Sequence, residues 1–292
     1  MSPQTPQPVT RAFRRAVTTT VVSVAALSTV TLTSAPASAA VVRSPSGVRM
    51  HLGDLPGGKY APHGWQQVFA DTFATTGAKR ASVAGTLPNN KWWGYRSGTR
   101  IVNSSNGVYD SARVVSVSNG MMHFKLHSAD GVAFAAVESP NLPKQTYGRY
   151  SVRYRYAPGT NVAGFKSVWM LWPDSDRWGD GEIDFHELGN ENNRTAAWAA
   201  VHQACGNDNG CPQKVQGFKL NPTTWHTATV LWTPGRIRVF NDGRLVMMTT
   251  QHVPNKPMHL LLQTEASDYG PKAAPGAVMK IDVDWVTVYR RR

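Results

Sequence analysis

Residues 236–249 read RIRVFNDGRLVMMT, two β-prone runs joined by Asn241-Asp242-Gly243. An Asn-Asp-Gly turn between such runs is a strong hairpin signal. Working outward, the same texture recurs. VVSVSNGMMHFKLHS (114–128) carries a Ser-Asn-Gly turn between apolar flanks, and YSVRYRY (150–156) alternates aromatic or apolar with polar residues. WHTATVLWT (225–233), HLLLQTE (259–265) and MKIDVDWVTVYR (279–290) are further strand candidates. Period-two alternation puts successive side chains on opposite faces of an extended chain, so each run can bury one face. Beyond the N-terminal leader, no segment sustains the i, i+3, i+4 stripe of a helix. Many short strands punctuated by Gly, Pro and Asn predict an all-β protein, an antiparallel β-sandwich or barrel. With no internal repeat or low-complexity linker, residues 65–292 read as one domain whose last strand ends before Arg290-Arg291-Arg292.

The ends of the chain read differently. Arg11, Arg14 and Arg15 precede an apolar run from Ala16 to Leu32, and Ala37-Ser38-Ala39 fits a cleavage site. Residues 1–39 are therefore expected to be a signal peptide, by a general secretory or a twin-arginine route, and the protein is expected outside the cell. The leader is too short and too rich in Thr and Ser for a membrane anchor, and no later apolar run could span a bilayer. Residues 40–64, rich in Gly and Pro, read as an irregular N-terminal arm. The 292 residues carry 31 Lys plus Arg against 18 Asp plus Glu, a formal charge of +13, or +10 once the three leader arginines are removed. The cations are scattered and no nucleic-acid motif accompanies them, so the charge points to solubility and loose wall adhesion. The two cysteines, Cys205 and Cys211, flank a turn-rich CGNDNGC loop. In an exported chain this pair is expected to be a disulfide, since two thiols with only His202 nearby fall short of a zinc ligand set.

One stretch carries chemistry. DGEIDFHELG (180–189) crowds Glu182, Asp184 and Glu187 into six positions of an acid-poor chain. On a strand Glu182 and Asp184 share a face and Glu187 falls on the other, unless a β-bulge near Phe185 and His186 inserts one residue. With that bulge the backbones of Glu182 and Glu187 stand about 13 Å apart, and their side chains can converge to roughly the 5 to 6 Å of a retaining glycosidase pair. An ionised nucleophile and a protonated acid need different pKa values, and crowded like charges supply that split. The acids would titrate as a coupled unit. The spacing alone is a weak motif, but Trp169, Trp172 and Trp178 precede it, and flat rings beside paired carboxylates suit a sugar-binding cleft. Trp169, between Val168 and Met170, reads as core; Trp172 and Trp178 read as substrate-binding.

GEIDFHELG resembles the Glu-x-Asp-x-x-Glu signature of glycoside hydrolase family 16 in its bulged form. WQQVFADTF (65–73), YGRYSVRYRYAPGTNVAGFKSVWMLWP (147–173), WHTATVLWTPGRIRVFNDGRLV (225–246) and IDVDWVTVYR (281–290) are similar to other strands of that family, in order. The resemblance implies a concanavalin-like β-jelly-roll of two antiparallel sheets with a concave cleft, and a retaining double displacement needing no cofactor. Glu182 would be the nucleophile, Asp184 its helper and Glu187 the general acid/base. The bulged spacing is that of laminarinase-like and agarase-like branches, which favours an endo-acting β-1,3- or β-1,3(4)-glucanase. His186 stands where laminarinases usually have Met, and either packs beneath the strand or relays protons. His202 and Gln263 are further candidates for substrate contact. Asp284 aligns with an aspartate that binds a structural calcium in several members. The implied partner is a polysaccharide, with no nucleic acid and no need of more than a monomer. A carbohydrate-binding sandwich without catalysis, and a hydrolase or transglycosylase for a galactan or other glycan, are the competing readings.

Overall fold

The structure, a computed structural model, describes residues 41–43, 49–51, 55–57, 61, 63–74, 77–82, 84–160, 164–189, 195–266 and 270–292. The predicted hairpins form with left-handed turn residues. Asn119 and Gly120 (φ 50° and 68°) join Val115–Ser118 to Met121–Ala129, and Asp242 and Gly243 (φ 51° and 74°) join Arg236–Asn241 to Arg244–Thr249. Positive φ at both central residues is the signature of a type I′ turn, whose twist matches that of the flanking strands. The second turn is also fastened from outside: His226 Nδ1 lies 2.6 Å from Asp242 Oδ2, and the Thr227 N–H donates to Asp242 Oδ1 at 2.8 Å.

Two sheets face each other. One has seven strands, in the order Gln213–Lys219, Ala196–His202, Glu182–Leu188, Phe165–Pro173, Met258–Ala266, Val137–Pro140 and Trp92–Gly94. The other runs Arg244–Thr249, Arg236–Asn241, His226–Thr233, Gly148–Tyr156, Val278–Arg291, Met121–Ala129, Val132–Ala135, Gly107–Tyr109 and Thr99–Arg100. Trp65–Asp71 pairs alongside Val278–Arg291, and Val115–Ser118 and Lys79–Arg80 branch from Met121–Ala129. Pairing is antiparallel throughout, except that Val132–Ala135 runs parallel to Gly107–Tyr109. Trp169, Leu171, Ile183, Phe185, Leu260 and Leu262 of the first sheet are buried, as are Tyr150, Val152, Tyr154, Tyr156 and Trp232 of the second. Alternation explains the sorting: each strand sends every second side chain into this layer, where each large apolar group contributes roughly 1.5–3 kcal/mol.

Several elements differ from expectation. The last strand runs on through Arg290 to Arg291, because it pairs with Gln66 and Trp65 of the Trp65–Asp71 strand. Ala196–His202 and Gln213–Lys219, which sequence reasoning left unassigned, are strands; the second is an almost wholly exposed edge whose polar composition hides its role. A single helical turn, Ser111–Val114, is capped by the Asp110 side chain. Within the arm, Val41–Arg43 pairs with Arg49–His51, and Gln67 bonds the backbone of Leu55 and Gly57. The leader, residues 1–39, lies outside the described residues. Among those that are described, no helix is long and apolar enough to cross a membrane.

Candidate active site

The acid strand, Glu182–Leu188, is irregular on both edges. Against Phe165–Pro173 the register passes from Trp169↔His186 directly to Met170↔Asp184, leaving Phe185 without an opposite number. Against Ala196–His202 it passes from Asp184↔Ala200 to Glu187↔Trp198, so Phe185 and His186 together face the single Ala199. This is the predicted β-bulge, at the predicted residues. Its effect follows from counting: one extra residue restores Glu187 to the face of Glu182 and Asp184, while Phe185 and His186 both go into the core.

His186 explains how the bulge is held. Tyr154 Oη lies 2.9 Å from its Nδ1 and Tyr156 Oη 2.8 Å from its Nε2, both reaching across from the opposite sheet, and Tyr156 Oη also meets Ser167 Oγ at 2.5 Å. Burial, with His226 adding to it, pushes the imidazole pKa down to about 3, so the ring stays neutral. A neutral ring has one donor and one acceptor nitrogen, so one tyrosine donates to it and the other accepts. His186 packs and hydrogen-bonds beneath the strand, in the layer between the sheets.

On the other face the acids crowd together. Glu182 and Asp184 are buried, and one oxygen of each lies within 4.8 Å of the other and of a His202 ring nitrogen. Burial first, and the Asp184 charge second, push the Glu182 pKa up to about 8; burial also raises Asp184. The pair therefore retains a proton that neither carboxyl would keep in water. Opposing this, His202 Nε2 stands 3.4 Å from Asp184 Oδ2. Burial works against the imidazolium, but the Glu182 and Asp184 charges outweigh it and raise the His202 pKa to about 9. The Trp178 indole N–H donates to Glu182 Oε2 at 3.0 Å, and its ring lies 5.4 Å from that of His202. Lys166, on the neighbouring strand, pairs with Glu265 at 2.6 Å; burial lowers its pKa, but the charges of Glu265, Glu187 and Asp184 outweigh this and raise it.

Trp178 is itself braced. It opens a short 3-10 turn, Trp178–Asp180, against which the Cys205–Cys211 loop is pinned by the expected disulfide. The N–H groups of Cys205 and Gly206 donate to Gly179 O at 3.1 and 2.8 Å, and the Gly179 N–H donates to Asp208 Oδ1 at 2.7 Å. A Cβ at Gly179 would come within 2.7 Å of that oxygen and 2.8 Å of the Asn207 nitrogen, so only glycine permits the approach.

The other candidates fall unevenly. Gln263, opposite Val168, is half-buried on the acid-bearing face. Trp172 shares that face but is buried, with its N–H donating to Asp176 Oδ1 at 3.1 Å, and Trp169 is core as expected. Asp284 Oδ2 lies 2.7 Å from Arg153 Nε. A guanidinium already meets its charge, so the donor set does not fit calcium, which takes six to eight oxygens. Among the described residues, the one group of three acids or histidines close enough to hold a cation is Glu182, Asp184 and His202. Sequence reasoning missed Trp198, Trp93 and His259, which register places on the cleft face opposite Glu187, Ser139 and Trp172. Trp198 and His259 each sit four residues from a candidate already chosen, His202 and Gln263, and so share its face; that phase was the available signal.

Comparison with known proteins agrees with this geometry. The chain is 27% identical over 184 residues to keratan-sulfate endo-1,4-beta-galactosidase from Sphingobacterium multivorum, a match covering 56% of this chain and 42% of that protein, so the chain spans under half of that relative's length. Among solved structures it is similar to SCLam, a non-specific endo-beta-1,3(4)-glucanase, with a TM-score of 0.63, 22% identity, and 79% and 93% of the two chains covered. LamAcat from Zobellia galactanivorans is similar too, with a TM-score of 0.60, 18% identity, and 77% and 97% covered. Residues 103–287 match the sequence pattern of Glycosyl hydrolases family 16, more than half of the chain and all of the acid strand, and the protein belongs to that family.

Proposed function

We propose that this chain is an exported enzyme that cuts internal linkages of a β-1,3- or β-1,3(4)-glucan with retention of anomeric configuration. The observation that carries this reading is the bulged strand that sets Glu182, Asp184 and Glu187 on one face of a concave sheet. Glu182 attacks the anomeric carbon while Glu187 gives its proton to the departing oxygen; water, deprotonated by Glu187, then releases the glycosyl ester. Burial and the Asp184 charge favour a proton on Glu182 in the free enzyme, so attack requires that proton to leave Glu182 once substrate is bound. The Trp178 N–H, which donates to Glu182, and the His202 imidazolium, which lowers the Glu182 pKa, both favour the anion that attack requires. Trp93, Trp178 and Trp198 offer rings on which pyranose faces can stack. The glucan is supported by the bulged spacing and by the glucanases among the similar structures. A second reading, a galactan, is favoured by the relative that acts on keratan sulfate.

Reducing-sugar release across pure laminarin, mixed-linkage glucan, agarose and keratan sulfate tests both readings. Release from the first two is expected, falling about 10^3-fold or more in Glu182→Gln; a mutant as active as the parent would overturn the site assignment. His202 gives a pH test. Its imidazolium lowers the pKa values of Glu182 and Asp184. Removing it raises them, and since the nucleophile is lost by protonation as pH falls, the acid limb of kcat/KM should move to higher pH in His202→Gln. A limb that stays in place contradicts the role. The Cys205→Ser/Cys211→Ser variant should lower kcat about 10- to 100-fold by loosening Trp178 over Glu182, with KM less affected. An unchanged kcat in a folded variant would show that the loop does not brace the nucleophile.

A further inference from the structure

Away from the acids, a groove of about 640 Å3 opens beside the Trp65–Asp71 strand, within the size range of ligand sites. Its walls are the start of that strand, the loop 142–147, residues 232–234 and the end of the last strand. Three properties set it apart from an idle surface dent. Its lining includes Lys144, Arg290 and Arg291 and no Asp or Glu. Lys144 is paired with Asp174, but Arg290 Nε and Nη2 donate only to the neutral Gln66 Oε1, at 3.1 and 3.0 Å, and Arg290 and Arg291 are exposed. Their charge thus meets no carboxylate among the described residues.

The second property is a half-buried ring. Tyr147 stands edge-on to Trp232, centroids 5.1 Å apart, in a left-handed backbone conformation (φ 69°) that an aromatic residue rarely adopts. Such strain persists where the surroundings fix it and gathers at ligand sites. The third property is continuity with the cleft. The loop bridges to the cleft sheet through Gln145↔Met258, and Lys144 is near enough to His259 to add to the burial that holds its pKa down, at about 4. Lys144 thus lies within electrostatic reach of His259 on the cleft face and also lines the groove.

We propose that this groove is a second glycan site for an anionic polysaccharide, with Tyr147 under a pyranose face and Arg290, helped by Arg291, on its sulfate or carboxylate. The choice of a glycan rests on the reading of the cleft; the choice of an anion rests on the groove. Guanidinium with sulfate or carboxylate is a charge-assisted pairing, and a ring supplies the apolar complement that bare charge attraction lacks.

The test uses the full chain carrying Glu182→Gln, so that binding is read without turnover, against κ-carrageenan (sulfated), alginate (a polyuronate) and laminarin (neutral). Adding Arg290→Ala or Tyr147→Asn, which tolerates the left-handed backbone, should raise the Kd for at least one polyanion about tenfold or more, and the arm affected identifies the anion. The control is Lys79→Ala, an exposed cation on a different strand, which should change little. Equal effects of Arg290→Ala and Lys79→Ala would mean diffuse charge alone, and no polyanion binding, or loss of laminarin binding only, would equally overturn the proposal. Product release, on which the cleft assignment stands, is measured separately and can fail or succeed independently.

Discussion

The strand Glu182–Leu188 contains one residue more than its neighbours can pair, and the chemistry depends on that surplus. Strand side chains alternate with strict period two, so an ordinary strand would send Glu187 into the core opposite Glu182 and Asp184. The bulge reverses the phase halfway along. A carboxylate three residues from Asp184 then joins it in the cleft, and Phe185 and His186 fill the layer between the sheets. Since an unpaired residue weakens the ladder locally, something else must hold the kink. Tyr154 and Tyr156 do so by hydrogen-bonding both nitrogens of His186, a tether that a methionine at this position could not make.

Support on the cleft side is electrostatic. Burial raises the pKa values of Glu182 and Asp184, and the Asp184 charge raises that of Glu182 further; the His202 imidazolium limits both rises. Trp178 donates to Glu182, and its own position depends on Gly179 and the disulfide loop. The bonds running from Cys205–Cys211 to Glu182 are short-range and local, and each has a named donor and acceptor.

Much of this was legible in the sequence because it follows from local rules. Asp242-Gly243 and Asn119-Gly120 announce their turns, alternation announces the central strands, and phase alone demands a bulge between Asp184 and Glu187. What could not be read depends on neighbours distant in the chain. Trp172 looks like an open ring, yet Asp176 takes its N–H and packing covers it. Asp284 looks available to a cation until Arg153, 131 positions earlier, is found beside it. Gln213–Lys219 has the polar composition of a loop, because as an exposed edge strand it has little to bury. Trp178 was read as a platform for substrate, while its bond to Glu182 appears only once the 3-10 turn is built.

The central claim is that the bulge brings two carboxyl groups close enough for covalent, retaining catalysis. Proton NMR of the first reducing ends released from a β-glucan substrate, read before mutarotation, tests this most directly. The account predicts β-anomers as the initial product, as a double displacement through Glu182 requires. Initial α-anomers would mean single displacement by water between more widely spaced acids, and would contradict it.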